Sequence, residues 1–246
     1  MASILPYGVG DASWRHGQTL VRRLFKPQTL DWETAVWEMA QLVLNPKKMY
    51  KSQYYKLMGK LRDDPSFYIL ETLCLVVLAV AWGLVFLPHW WLVIKLVVYM
   101  VLIDFFAIGA VVALGFWLVV NRLLQGYSTV DWGYCWDVHC NAFIMIWCLN
   151  YVVQLVLLPI FSISTVLAVL IGNTLYLGAV AYYFIISFYG YNALPFATAA
   201  TTLQNPVKRI QTVVVAGVLP ALAVVWVVTL CLGINLSRIT INWYFS

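Results

Sequence analysis

The order of apolar and polar positions divides this chain into a polar, amphipathic beginning and a long series of apolar runs. Leu30-Asp-Trp-Glu33 reads as a helix start, with acids in the first turn where the helix dipole favours them. Trp32, Val36, Met39 or Ala40, and Val43 then recur at helical spacing, and Pro46 ends that helix or opens the next at its first turn. Residues 47–62 interleave Met49, Tyr50, Tyr54, Leu57 and Leu61 with lysines, as in a helix lying on a membrane or packed on the protein's own face. Asp63-Asp-Pro65 is an N-terminal helix signal.

From Phe67 onward the apolar runs are long enough to cross a bilayer, which takes about 20 residues per helix. Five spans are expected, at about 67–87, 92–120, 141–161, 163–189 and 212–234. The fold class is therefore an all-α integral membrane protein of five transmembrane helices preceded by amphipathic or interfacial helices. Three regions follow: a basic segment 1–66, a membrane domain 67–235 and a tail 236–246.

Composition excludes a soluble or disordered chain. Sixty-three per cent of residues are hydrophobic and ten per cent charged, against roughly a quarter charged in soluble domains. The first 66 residues hold 10 of the 15 Lys and Arg and 6 of the 10 Asp and Glu. That balance suits an anionic cytoplasmic leaflet. Nucleic acid is not an expected partner, because no recognisable binding motif accompanies the charge. Arg122, Lys208 and Arg209 fall on the same side as the early basic residues, so the positive-inside rule puts the amino terminus in the cytosol and the carboxy terminus in the lumen or outside. No secretory signal is expected, and the five cysteines suggest no disulfide framework.

Candidate chemistry concentrates in Asp131–Phe143. Asp131, Cys135 and His139 would share one face of a helix at i, i+4, i+8 and could bind zinc with one further ligand. A hydrogen-bonding segment at the start of a span is the favoured reading, since no second metal-spaced cluster exists. Asp137 and His139, two apart, do not share a helical face. Asp131, Asp137, His139 and Asn141 form a candidate polar cluster at the cytosolic side. Asp104, Asn150, Gln154 and Asn173 fall at intermediate depth on three spans and form a candidate intramembrane cluster, joined by helix–helix hydrogen bonds or lining a proton, ion or lipid path. No cofactor and no resident metal are expected, and no nucleophile–base pair or phosphate loop is present.

The ordered motifs Arg22-Arg-Leu-Phe25, Asp31-x-Glu33 with Trp37, Asp63-Asp-Pro-Ser-Phe67, Leu102-Ile-Asp104, Trp132-Gly-Tyr134, Asp137-Val-His139 with Asn141-Ala-Phe143, Gly172-Asn-Thr-Leu175, Tyr182-Tyr183 and Gly190-Tyr191 with Ala193-Leu-Pro-Phe196 resemble the Unc-fifty family of Golgi multi-pass proteins. Asp131, Cys135 and Trp136 depart from the family's usual residues, and the departure at Cys135 weakens the zinc reading. The resemblance implies a five-span Golgi protein with a cytosolic amino terminus, acting in vesicular trafficking and in receptor delivery to the cell surface. Endoplasmic-reticulum and inner-nuclear-membrane locations are the alternatives. It also implies large Arf guanine-nucleotide exchange factors as partners, beside membrane lipids and receptor cargo. Arg22, Arg23, Phe25, Trp32 and Trp37 are the candidate contacts, since Arg and Trp suit interface anchors. A lipid scramblase or lipid-modifying enzyme, with Asp104, Asp137 and His139 along a polar groove, is the alternative function.

Overall fold

The computed structural model describes residues 22–23, 26, 28, 30–57, 62, 64–123, 129–161, 166–194 and 206–245. Among these there is no β-strand, and five helices are long and apolar enough to cross a membrane. Helices satisfy every backbone polar group within the segment, as a spanning structure requires.

Two short helices come first. Helix α1, Trp32–Leu44, is capped by Asp31, whose Oδ1 accepts from the Thr34 N–H at 3.0 Å. Asn45 closes α1 and opens the next helix, since its N–H donates to Gln41 O and its Oδ1 accepts from the Lys48 N–H. Helix α2, Pro46–Leu57, therefore begins at the proline. It buries Met49 and Tyr50 and leaves Lys47, Lys48 and Lys51 exposed, so its apolar face packs on the protein itself. On α1 the buried face is Ala35, Glu38 and Leu42, whereas Trp32 and Val36 point outward.

Helix α3, Ser66–Phe86, starts after Pro65, with Asp64 Oδ1 accepting from the Ser66 N–H and hydroxyl at 3.1 and 2.6 Å. The other Asp64 oxygen accepts from the Asp31 N–H at 3.0 Å. One carboxylate thus joins the starts of α1 and α3. Asp63 lies outside the described residues.

Helix α4 spans Trp90–Leu123 and α5 spans Trp132–Val156. Each contains a widened stretch with π-type hydrogen bonding, Tyr99–Ala107 in α4 and Trp147–Val153 in α5. The indole of Trp82 donates to the Tyr151 carbonyl inside the second of these, at 3.0 Å. Helix α6 is Val166–Asn192 and α7 is Lys208–Cys231. A third wide stretch, Val213–Val218, lies just ahead of Pro220, which has no N–H and crowds the preceding turn. Gly233, at φ 66°, turns the chain back into α8, Leu236–Phe245.

Helix α5 is the axis of the bundle, packed against α6, α4 and α1, and half of its spanning window is buried. The expected start of this span at residue 141 is corrected. The helix begins at Trp132 because Asp137, His139 and Asn141 are enclosed by protein and find polar neighbours there. The expected tail 236–246 is also corrected over its described part. There it is an amphipathic helix folded back on the bundle.

A buried charge network beneath the first helices

Arg62 is 6% exposed and sits where α1, α3 and α5 meet. Its Nη2 pairs with Glu38 Oε2 at 3.0 Å and donates to Asn141 Oδ1 at 3.2 Å. Nη1 lies 3.6 Å from Asp137 Oδ1, an ion pair longer than a hydrogen bond. The guanidinium stands 4.2 Å above the Phe67 ring, and the Tyr68 hydroxyl donates to Asp137 Oδ1 at 2.9 Å. Burial alone would lower the Arg62 pKa, but Asp137 and then Glu38 outweigh it and hold it above its ordinary value. Burial likewise pushes the Tyr50 phenol up, with Asp137 adding to the effect. Arg62 and Tyr50 thus stay in their protonated forms at neutral pH.

Glu71, fully buried one turn into α3, has no hydrogen-bond partner on either carboxyl oxygen. A cleft of about 210 Å³, bordered by Arg23, Asp31, Glu38, Gln53 and Asp64, opens over Arg62. The network therefore has a mouth on the amino-terminal face.

The four polar residues expected to cluster at the start of α5 divide into separate environments. Asp137 and Asn141, one turn apart, both reach Arg62. His139 points elsewhere, as their spacing requires. Its Nδ1 lies 2.7 Å from the Tyr183 hydroxyl, its ring is bordered by Phe105, Trp136 and Phe143, and its Nε2 is buried without a partner. Gly109 makes room for it, since a Cβ there would stand 2.5 Å from Nε2. Asp131 precedes the first turn of α5 and makes no side-chain cap bond. Cys135 is buried in a different apolar cluster with Val120, Val138 and Tyr191. Among the described residues no three His, Cys, Asp or Glu side chains form a group able to hold a metal, so Asp131, Cys135 and His139 do not make a zinc site.

Asp104, Asn150 and Gln154 do converge, on one cavity deeper in the bundle. Neither Asp137 nor His139 lines it, so no single groove unites Asp104 with that pair. Asn173 is not part of it either. It fastens the α7–α8 turn, donating from Nδ2 to Thr229 Oγ1 at 3.0 Å and Ile234 O at 2.7 Å, and accepting from the Leu236 N–H at 2.8 Å.

Arg62, Glu38 and Tyr68 complete the network, and sequence reasoning had not singled them out. One signal existed: Glu38 interrupts the buried i, i+3, i+7 face Ala35–Glu38–Leu42, a charge where α1 meets the core. Of the candidate partner contacts, Arg22, Arg23 and Trp32 are exposed, while Trp37 is half-buried against the core. Phe25 lies outside the described residues.

Residues 20–245, which include α1 to α8 and the whole Arg62 network, match the model of the UNC-50 family. The chain belongs to that family. It is 40% identical to Protein GMH1 of Saccharomyces cerevisiae over 213 residues, covering 76% of this chain and 77% of that one. It is 32% identical to the Protein GMH1 homolog of Schizosaccharomyces pombe over 91% of this chain and 95% of the other. The Protein unc-50 homolog of Homo sapiens is 35% identical over 76% of this chain and 75% of its own. No solved structure matches this chain. The UNC-50 match spans both the amino-terminal helices and the membrane bundle, the two parts that the Arg62 network joins.

Proposed function

We propose that this UNC-50 family membrane protein is a non-enzymatic adaptor of the Golgi. Its amino-terminal face, turned to the cytosol, docks large Arf guanine-nucleotide exchange factors and so supports vesicular trafficking and receptor delivery. The observation that carries this reading is the outer face of α1. Trp32, Val36 and Leu44 are exposed there at helical spacing, and Arg22 and Arg23 are exposed on the segment ahead of α1. An exposed apolar stripe with Arg and Trp is the composition of an interface anchor. The stripe is also presented rigidly, because Glu38 on the opposite face of α1 is paired with Arg62 in the core.

The charge asymmetry of the sequence supports the cytosolic orientation. Trp37 acts in this arrangement as a support packed on the core, with Trp32 and the two arginines as the contacts. The test is recovery of the exchange factor on purified Golgi membranes carrying the double variant Trp32→Ala/Val36→Glu, or Arg22→Glu/Arg23→Glu. Each variant is expected to lower recovery at least several-fold with the protein still in the Golgi. Unchanged recovery with both correctly placed variants would sink the assignment.

A further inference from the structure

The cavity that gathers Asp104, Asn150 and Gln154 lies between α3, α4, α5 and α6, and α8 forms its remaining wall. It holds about 360 Å³, is partly open, and falls within the range of small-molecule sites, about 300–1,000 Å³. Its wall is mostly aromatic and aliphatic, with Trp82, Tyr151 and Trp243 among the lining residues. Asp104, Asn150 and Gln154 form its polar side, with the hydroxyls of Tyr151, Tyr176 and Tyr244 also on the wall. Asn150 Oδ1 is buried without a hydrogen-bond partner, and the Asp104 carboxyl accepts from the Tyr244 hydroxyl. Gln154 is held to the Ser237 carbonyl of α8 by a long contact of 3.5 Å. No Lys, Arg or His lines the cavity.

Two further features single this place out. Asp104 and Asn150 each lie in a widened helical stretch, one in α4 and one in α5, and both line the same space. Such stretches recur at functional sites, because an added residue in the turn redirects side chains and loosens backbone carbonyls. The second feature is depth. Asp104 is about 20 Å along α4 from Trp90 at 1.5 Å per residue, beyond headgroup level.

We propose that this cavity binds a neutral membrane lipid through a single hydroxyl group, with the lipid's apolar body leaving through the open side. The Asn150 oxygen has no partner and the Asp104 carboxyl is an acceptor, so a group that donates suits this wall, and a hydroxyl can also accept from its phenol and amide donors. A phosphate has only acceptors to offer and would meet Asp104 with no cation to balance it. A lipid ammonium could donate, but a full charge at this depth is costly. A hydroxyl satisfies the acceptors without that cost. The Tyr244 hydroxyl donates to Asp104, so binding exchanges one hydroxyl for another and loosens the last turn of α8.

Sterols and diacylglycerols share this chemistry, and photolabelling separates them. Full-length protein in nanodiscs would be labelled with a clickable diazirine cholesterol and, separately, a clickable diazirine diacylglycerol. Cross-linked peptides would then be mapped by mass spectrometry. Labelling is expected in Ile146–Gln154 and Ile239–Phe245, competed by the matching unlabelled lipid but not by its acetate ester, which cannot donate. Cholesterol competing where dioctanoylglycerol does not names the sterol, and the reverse names the diacylglycerol. Asn150→Leu is expected to lower labelling at least five-fold with an unchanged melting temperature. Should that variant fail to fold, Tyr244→Phe, which frees Asp104, is expected to raise labelling instead. Competition by the ester as strong as by the alcohol, displacement by sphingosine in preference to both, or labelling confined to other helices would each overturn the proposal.

Discussion

Arg62 and Asn141 are joined by a 3.2 Å hydrogen bond that crosses 79 residues of sequence. It brings the segment before the first span into the centre of the bundle, where Asp137 and Glu38 supply the counter-charges. The amino-terminal helices therefore share the protein's main core, and their exposed face is held in a fixed direction.

Removing the cation alone should be severe. Arg62→Met takes the cation from the buried pairs with Glu38 and Asp137, and losing one partner of a buried pair costs about 3–5 kcal/mol. Thermal unfolding of the detergent-solubilised protein should show a large drop in melting temperature. The triple variant Arg62→Met/Glu38→Gln/Asp137→Asn should recover most of it, since no unpaired charge remains. A single variant that melts with the parent would refute this account of the network.

Glycine substitutions give a test with an internal control. Gly109→Ala would drive a methyl to 2.5 Å from His139 Nε2 and 3.0 Å from its Cδ2, in a wall already filled by Trp136. Overpacking of this kind costs about 1–3 kcal/mol. Gly115→Ala, on the same helix with nothing within 4 Å, should be neutral or slightly stabilising. Equal melting temperatures for the two would contradict the close approach of α4 to His139.

Asn173 makes three hydrogen bonds at the α7–α8 turn. Asn173→Leu should detach α8 while leaving the five spans in place, because the Leu236 N–H and the Ile234 carbonyl lose their partner. Each unsatisfied buried group costs about 1–3 kcal/mol. Limited proteolysis should cut earlier within Asn235–Phe245, with intact cleavage kinetics elsewhere. Protection equal to the parent would mean that the ring stack of Phe245 on Phe86 and Trp82 is enough to hold the helix.

Asp64 serves two helix starts at once. Asp64→Ala removes the cap of α3 and the bond to Asp31 at the head of α1, so its cost should reach the upper end of the cap range, about 0.5–2 kcal/mol. Hydrogen exchange should quicken at Thr34 as well as at Ser66. Faster exchange at only one of them would show that the two helix starts are independent.

The spans were legible because a helix facing lipid must be apolar almost throughout, and that requirement is written residue by residue in the runs after Phe67. The start of α5 was not legible in the same way. Asp137 and His139 fall ahead of the expected span until Arg62 and Tyr183 are placed beside them, and those partners are far away in sequence. Helix α8 was read as a tail for a similar reason. Its ten residues fold back only because Gly233 reverses the chain and Asn173 holds the turn. The intramembrane cluster was partly legible: depth brought Asp104, Asn150 and Gln154 together, but depth alone could not separate Asn173, which faces α7. Gly172 packs closely against Ser237 and Asn235, whereas Gly178 has nothing within 4 Å.

Helix α5 is both the least apolar of the five spans and the most enclosed. A nascent chain delivers its segments to the bilayer in sequence, and this one carries an acid, a histidine and an asparagine near its leading end. Left alone in lipid, those groups would oppose its partition. By then α1, Arg62, α3 and α4 have already been synthesised, so the countercharge and the aromatic wall are waiting when α5 emerges. The partners of Asp137 and Asn141 thus all precede them in the chain, while His139 must wait for Tyr183 on the next span.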